Sequence, residues 1–532
     1  MTEPEESRSG RQNVSDDSLS RSFLTIALQS LLLPIATVSL IYGHNADRIR
    51  LDAFLYSAAF LVISYFLIVL ILRMVFRGKK YTDTIVGCLY IGAFMSVYFI
   101  PGQNVLCAII WLGAAIAVVF HKPARATIGF LVTSIGVAFA IAGLYLLLSS
   151  MFLDRIASAD AAKHSFDVLP VAGSDINTKR DIYYIVLDRY ANADQLQEVY
   201  QFDNSGFLDE LKRRGFVIPQ GAYSNYPRTA HSLSSSMNLE YLEPLGKDLE
   251  SPSGDWLPIY RTIEQSAVAK FFKHEGYAFT FLGSWWEPTR KNSLADTVIN
   301  YRAWPELLRV VFENSLAGYL ADKFEIAAIN PRQLQCERAK IKFAEISKIA
   351  GSHNQKHPKF VFAHFLVPHP PFVLGADGTC LSIETVEGRT REQNYIEQVR
   401  YANRQILRFL DHVKETGGLE PIIILQSDEG PWPKKYVLDE VHYLGRDVTN
   451  VSWDKVTPGE LREKMGILNA LYLPGLSETQ VVTHSTPVNN LRFVLREYFG
   501  ADLPQLPDRS YIFSNNEDLY RFHEVDQKLQ TR

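Results

Sequence analysis

The first 152 residues hold five apolar runs, at 22–42, 53–75, 84–100, 105–120 and 127–152. A helix needs about 20 apolar residues to cross a bilayer. In lipid, only helices and closed barrels satisfy their own backbone hydrogen bonds. The runs therefore predict a five-helix transmembrane bundle. The third and fourth are short and separated only by Pro101-Gly102-Gln103-Asn104, which reads as a tight hairpin turn. A cleaved signal peptide does not fit the first run, which follows a 21-residue polar tail and precedes four more runs. Helices of a buried soluble bundle would show a polar stripe, and these do not.

Loop charges set the orientation. The tail carries Arg8, Arg11 and Arg21; the second loop carries Arg73, Arg77, Lys79 and Lys80; the fourth carries Lys122 and Arg125. The first loop offsets Arg48 and Arg50 with Asp47 and Asp52, and the third has no Lys or Arg. This places the N-terminus in the cytoplasm. With an odd number of spans, everything after Phe152 is expected outside. The expected segments are a cytoplasmic tail 1–21, the spans 22–152, a linker 153–179, a large domain 180–515 and a C-terminal tail 516–532.

About 380 residues follow the spans, enough for one domain with a substantial core. A net charge of −4 and the lack of a basic stripe give no reason to expect nucleic acid. Cys88 and Cys107 lie in apolar runs. Cys336 and Cys380 lie in the large domain, where an oxidising compartment would allow a disulfide. Their pairing does not follow from sequence alone.

In that domain strand-like and helix-like segments alternate. The strand-like ones are 181–187 (DIYYIVL), 277–282, 360–365, 421–425 (PIIIL) and 466–473; the helical ones are 204–214, 390–414 and 486–499. Pro487 suits the first turn of the last helix. Such alternation predicts an α/β domain whose mostly parallel sheet is covered by helices on both faces. Ligands then sit at the carboxyl ends of the strands. Asp188 ends the first strand, His364 and His369 follow another in AHFLVPHPPF, and Asp428 and Glu429 follow a third in ILQSDEGP. Taken singly, Asp188 reads as a helix cap, 428–430 as a solvated turn and His369 as structural. Carboxylates and imidazoles at three strand ends of one sheet make a metal site.

These motifs resemble the alkaline phosphatase superfamily, most closely its membrane-bound, sulfatase-like branch of lipoteichoic acid synthases and phosphoethanolamine transferases. The likeness covers the five-helix anchor and nearly all of 179–511. Asp188 matches the acidic metal ligand that ends the family's first strand. Thr229-Ala230-His231-Ser232-Leu233 matches the string in which a threonine nucleophile opens a helix. His364 and His369 match a His-x-x-x-x-His-x-Pro segment, and Ser427-Asp428-Glu429-Gly430 matches Ser-Asp-His-Gly with one departure, Glu429. A further metal-binding histidine of phosphoethanolamine transferases lies shortly after that motif; His442 is close to its position, at a different spacing. The chain departs from true sulfatases in Ser224-Asn225-Tyr226-Pro227-Arg228, where tyrosine stands in place of proline or alanine.

The resemblance implies metal ligands Asp188, Thr229, Asp428, Glu429 and His442. It also implies catalytic Thr229, His369 and His364, with Arg228 and His369 contacting the substrate anion. A metal-activated Thr229 would attack a phosphodiester and form a phospho-threonine that a second alcohol or water releases. An all-oxygen set of Asp188, Asp428, Glu429 and Thr229 favours Mn, Mg or Ca over Zn. The glutamate leaves two outcomes open, tuning to another ion or loss of catalysis. The expected function is transfer of a phosphoethanolamine- or phosphoglycerol-type group. Its donor is a membrane lipid, and its acceptor is a cell-envelope glycan or lipid outside a bacterial cytoplasmic (inner) membrane. The alternatives are a phosphate or sulfate ester hydrolase and a non-catalytic envelope-binding protein. Trp285, Trp286 and Trp432 are expected near the substrate.

Overall fold

The computed structural model describes residues 31–43, 45–76, 79, 81–95, 104–161, 179–248, 252–326, 328–352, 357–437, 451–476 and 486–531. The chain divides into two compact units, Met1–Asp154 with Trp304–Ile326, and Arg155–Ala303 with Ala327–Arg532.

The first unit contains helices at all five apolar runs: α1 (Leu31–Gly43), α2 (Leu51–Val75), α3 (Thr82–Tyr90), α4 (Asn104–Phe120) and α5 (Ala124–Ala161). Two stretches, Leu51–Val75 and Ala124–Ser149, are long and apolar enough to cross a membrane. The described parts of the other three runs are shorter. Residues 22–30 and 96–100 of the expected spans lie outside the described residues. The third helix passes into a π-helical turn at Ile91–Met95. Apolar side chains such as Leu55, Ile63, Ile109 and Ile116 face outward, the inverse of a water-soluble bundle. At one end Arg73 pairs with Asp83 at 2.7 Å, and Arg125 lies over the Tyr81 ring at 4.1 Å.

Residues 304–326 join this unit although they fall between two strands of the other. Helix Glu306–Glu313 buries Leu307, Leu308 and Val311 in one cluster with Tyr42, Ile49, Ala53 and Phe54. An amphipathic helix of eight residues has the same period whether it covers a sheet or another helix, so the expected continuous domain from 180 did not distinguish them.

The second unit is built on a six-stranded sheet in the order β3-β2-β4-β1-β5-β6. The strands are β1 (Ile182–Leu187), β2 (Ala278–Leu282), β3 (Thr297–Ile299), β4 (Lys359–Phe365), β5 (Ile422–Gln426) and β6 (Asn469–Tyr472). All neighbours are parallel except β6, which runs antiparallel to β5. The side-chain period of two divides the core. Tyr183, Ile185, Val361, Ala363, Ile423 and Leu425 enter one apolar cluster; Tyr184, Val186, Phe360, Phe362, Ile422 and Ile424 enter the other. Both clusters are closed by helices, as a two-faced parallel sheet requires. A hairpin of β7 (Tyr511–Asn515) and β8 (Asp518–Glu524) follows. It packs with Tyr226, Ala230 and Trp453, so the segment expected to be a tail from 516 is part of the core. Cys336 and Cys380 form a disulfide with a Cα–Cα distance of 5.6 Å.

Candidate active site

Parity along the strands assembles the site. Val186 lies opposite His364 and Gln426 in the parallel register, so His364 emerges on the face of the second cluster at the strands' carboxyl ends. Asp188 and Asp428 follow two residues after Val186 and Gln426. A ligand atom from each of Asp188, His364 and Asp428 lies within 4.8 Å of the others, and all three residues are buried. His364 Nε2 is 3.4 Å from Asp188 Oδ2.

The electrostatics of this cluster call for a cation. Two unit charges 4 Å apart repel by about 4 kcal/mol at an effective dielectric constant of 20. Burial first, then Asp188 and Glu429, push the Asp428 carboxyl up to about 7, against the opposing pulls of His364 and the neighbouring Thr229 hydroxyl. Burial holds the His364 imidazole down at about 4, so it is neutral at pH 7. Its Nδ1 is 2.9 Å from Thr289 Oγ1, which also meets Ser284 Oγ at 2.7 Å. With the Nδ1 proton donated to Thr289, Nε2 presents its lone pair toward the two aspartates. Asp428 Oδ2 is buried and has no hydrogen-bond partner among the described residues. These donors fit a divalent cation.

Thr229 is the first residue of helix Thr229–Asn238, and Arg228 occupies the N-cap in extended conformation. The Thr229 hydroxyl neighbours Asp428, whose pKa it lowers. Ser232 donates to the Tyr226 carbonyl at 2.9 Å, and Ser234 pairs with Thr262, so both nearby serines are engaged in the core. The Arg228 guanidinium lies 4.5 Å above the Trp432 ring and reaches Asn516 at 3.4 Å. His369 meets the Trp285 ring edge-on at 6.1 Å, and its carbonyl accepts from Gln398 at 3.1 Å. Trp286 stands edge-on to His364 at 6.0 Å. Trp285 and Trp432 are buried, so they form walls rather than exposed stacking surfaces.

Glu429 has different company. Its Oε1 takes Lys464 Nζ at 2.6 Å and Arg189 Nε at 3.3 Å, while Oε2 has no hydrogen-bond partner among the described residues. Lys464 is fully buried, donates to the Gly430 carbonyl at 2.9 Å and lies 4.2 Å over the Trp432 ring. Burial pulls its ammonium down to about 8 against the upward pull of Glu429. Gly430 is required by close approach: a Cβ there would meet three backbone oxygens of 463–466. Arg189 holds φ of +62°, an uncommon conformation for a side-chain-bearing residue. The cluster of Asp188, His364 and Asp428 sets an imidazole nitrogen beside the carboxylate oxygens on which the expectation of Mn, Mg or Ca rests. His442 lies outside the described residues.

Sequence reasoning missed Arg189, Thr289 and Lys464. Arg189 directly follows a strand-end aspartate and could have been flagged by position. Lys464 and Thr289 stand in no motif, and only the fold brings them in.

A sequence model of the Sulfatase family matches residues 181–452, just over half of the 532. Among solved structures, the C-terminal periplasmic domain of EcEptC from Escherichia coli is 13% identical. It covers 68% of this chain and 97% of that one, with a TM-score of 0.42. The integral membrane lipooligosaccharide phosphoethanolamine transferase A from Neisseria meningitidis is 13% identical. It covers 85% and 87% of the two chains with a TM-score of 0.32. A 2-O GAG sulfatase is 13% identical and covers 61% and 72%, with a TM-score of 0.37. A search of curated protein sequences gives no match.

Proposed function

Because the chain belongs to the sulfatase family, we propose that it is a metal-dependent enzyme that transfers a phospho-group from a lipid donor to a cell-envelope acceptor. The observation that carries the reading is the buried set of Asp188, His364 and Asp428, with Thr229 beside it at a helix N-terminus. A bound divalent cation would compensate the two carboxylates and acidify a hydroxyl in contact with it. Thr229 Oγ1 is then the nucleophile. It gives up its proton and forms a bond to phosphorus as the bond to the lipid oxygen breaks; that oxygen takes up a proton and departs as the lipid alcohol, leaving a phospho-threonine. The acceptor hydroxyl attacks that phosphorus, loses its proton to solvent or a neighbouring base, and restores Thr229. Backbone N–H groups at the start of helix Thr229–Asn238 favour the anionic group. Arg228, adjacent to Thr229, adds a fixed positive charge, and His369 serves the transferred group or the leaving oxygen. Glu429 acts in this reading as the counter-ion of Lys464 and Arg189, with Asp188, His364 and Asp428 as the protein's metal ligands.

The proposed location is a bacterial cytoplasmic membrane, with the catalytic unit outside. Hairpin 304–326 packs on Tyr42, Ile49 and Phe54, the end of the helical unit that loop charges put outside. The Cys336–Cys380 disulfide suits an oxidising compartment.

The test is product analysis with the full-length protein, a head-group-labelled phospholipid and an envelope extract as acceptor. Label appearing on an acceptor, absent with Thr229→Ala, is the expected result. Release of the head group with water alone would replace transfer by hydrolysis. Normal transfer by Thr229→Ala would refute the mechanism.

A further inference from the structure

Hairpin 304–326 has a second face. Helix Leu316–Lys323 lays Gly318 and Ala321 inward and packs against the π-helical turn Ile91–Met95 and α4. Gly318 is needed for the close approach to the preceding helix of the same segment, because a Cβ would strike the backbone of Phe312 and Glu313. Small residues are what allow helices to approach closely where lipid, not water, is the solvent. The opposite face turns Tyr319, Leu320, Lys323 and Phe324 outward, continued by Ile326. Tyr319 is 49% exposed and Phe324 68%. Trp304, at the start of the hairpin, is exposed as well. Lys323 Nζ lies 5.8 Å over the Tyr319 ring.

In water, this concentration of exposed aromatic and aliphatic side chains on a short segment carries a clear penalty, roughly 25 cal/mol for each Å² of apolar surface. We propose that this face rests in the headgroup–acyl boundary of the bilayer leaflet nearest the catalytic unit. The inference builds on the reading that the N-terminal unit is membrane-embedded. Three observations select this occupant. The face continues a unit whose skin is already apolar, through Leu55, Ile63, Ile109 and Ile116. Its composition is that of an interfacial belt, with tryptophan, tyrosine and lysine beside apolar residues. Lys323 and Glu325, both exposed, need water, which the boundary supplies and the hydrocarbon core does not. The segment is held in the chain between β3 and β4. A catalytic unit with this insertion is therefore tied to the bilayer by a second element besides the spans, close to where a lipid donor resides.

The test uses the full chain carrying Cys88→Ser and Cys107→Ser, with the disulfide intact, in vesicles of phosphatidylethanolamine and phosphatidylglycerol. A nitroxide is placed at Phe324→Cys, or at Leu320→Cys should the first variant fold poorly. Leu144→Cys on α5 and Lys212→Cys on the other unit are the references. The expected result is that label 324 collides several-fold more with oxygen than with a water-soluble nickel chelate, relative to label 212. A water-like label 324 beside a lipid-like label 144 overturns the proposal and leaves the membrane reading standing. A label reached by neither reagent means the catalytic unit covers this face, and also overturns it. A water-like label 144 defeats the membrane reading itself, and this inference with it.

Discussion

Asp188 and Arg189 are neighbours in the chain, as are Asp428 and Glu429, yet they feed two buried clusters of opposite character. Alternation at the strand ends sends the first member of each pair to His364 and the second toward Lys464. Asp188, His364 and Asp428 gather two carboxylates around an imidazole that burial keeps neutral. Arg189, Glu429 and Lys464 bring two cations to one carboxylate. A buried charge costs several kcal/mol unless it is paired and hydrogen-bonded. The second cluster supplies its own cations, whereas the first has the composition of a site that takes one from solution. A glutamate at the position of a family histidine thus need not enlarge the metal's ligand set. It can serve as the anchor for a buried lysine beside that set.

The largest effects should come from the first cluster and its nucleophile. Asp428→Asn and Thr229→Ala should each lower turnover by about 10³-fold or more, but for different reasons. Elemental analysis after dialysis should find metal in Thr229→Ala and little in Asp428→Asn. Equal metal content in the two would erase the distinction drawn between ligand and nucleophile. Next in size is the second cluster. Glu429→Met strands Lys464 and Arg189 without their carboxylate and should cost about 3–5 kcal/mol in chemical unfolding of the catalytic unit. Adding Lys464→Met should recover part of that, while metal content stays at the wild-type level throughout. Loss of metal in the double variant would return Glu429 to the ligand set.

The asymmetry between the clusters was half legible in the sequence. Asp188, His364 and Asp428 could be found because each lies at the carboxyl end of a strand with four or more successive apolar residues, and such strands announce their own ends. Lys464 could not, because it lies in a short polar helix, Pro458–Met465, whose charges read as a solvated surface. The three-residue β3 has exposed or half-exposed positions and no pattern to detect. Helix Glu306–Glu313 shows the same limit from the other side. Its apolar stripe is plain, but a stripe states that a face is buried and not what buries it.

A pH titration of chelated protein sharpens the comparison further. The folded pKa of Asp428, about 7, lies above its reference value of 3.8. Its contribution to stability is therefore fully present below 3.8 and is lost as pH rises through 7. Without metal, the melting temperature should fall across that window from this group, and saturating divalent metal should flatten or reverse the trend. Asp428→Asn should flatten it with no metal at all. An unchanged slope in that variant would show that the charge strain lies elsewhere.

The smallest effect tests whether the first cluster is oriented as well as assembled. Thr289 touches neither aspartate, but its hydroxyl fixes the His364 ring through Nδ1. Thr289→Val is close in volume and removes that bond together with the one to Ser284, freeing the ring to change tautomer or tilt. Groups that orient a metal-bound imidazole typically contribute about 10–100-fold in affinity. Calorimetric titration of Thr289→Val should therefore show weaker metal binding of that order with unchanged stoichiometry, while Thr289→Ser, which keeps the hydroxyl, should bind nearly as the parent does. Lys464→Met should leave the same affinity within a few-fold, because the second cluster does not hold the imidazole. If Thr289→Val bound metal normally and Lys464→Met did not, the roles of the two clusters would be exchanged.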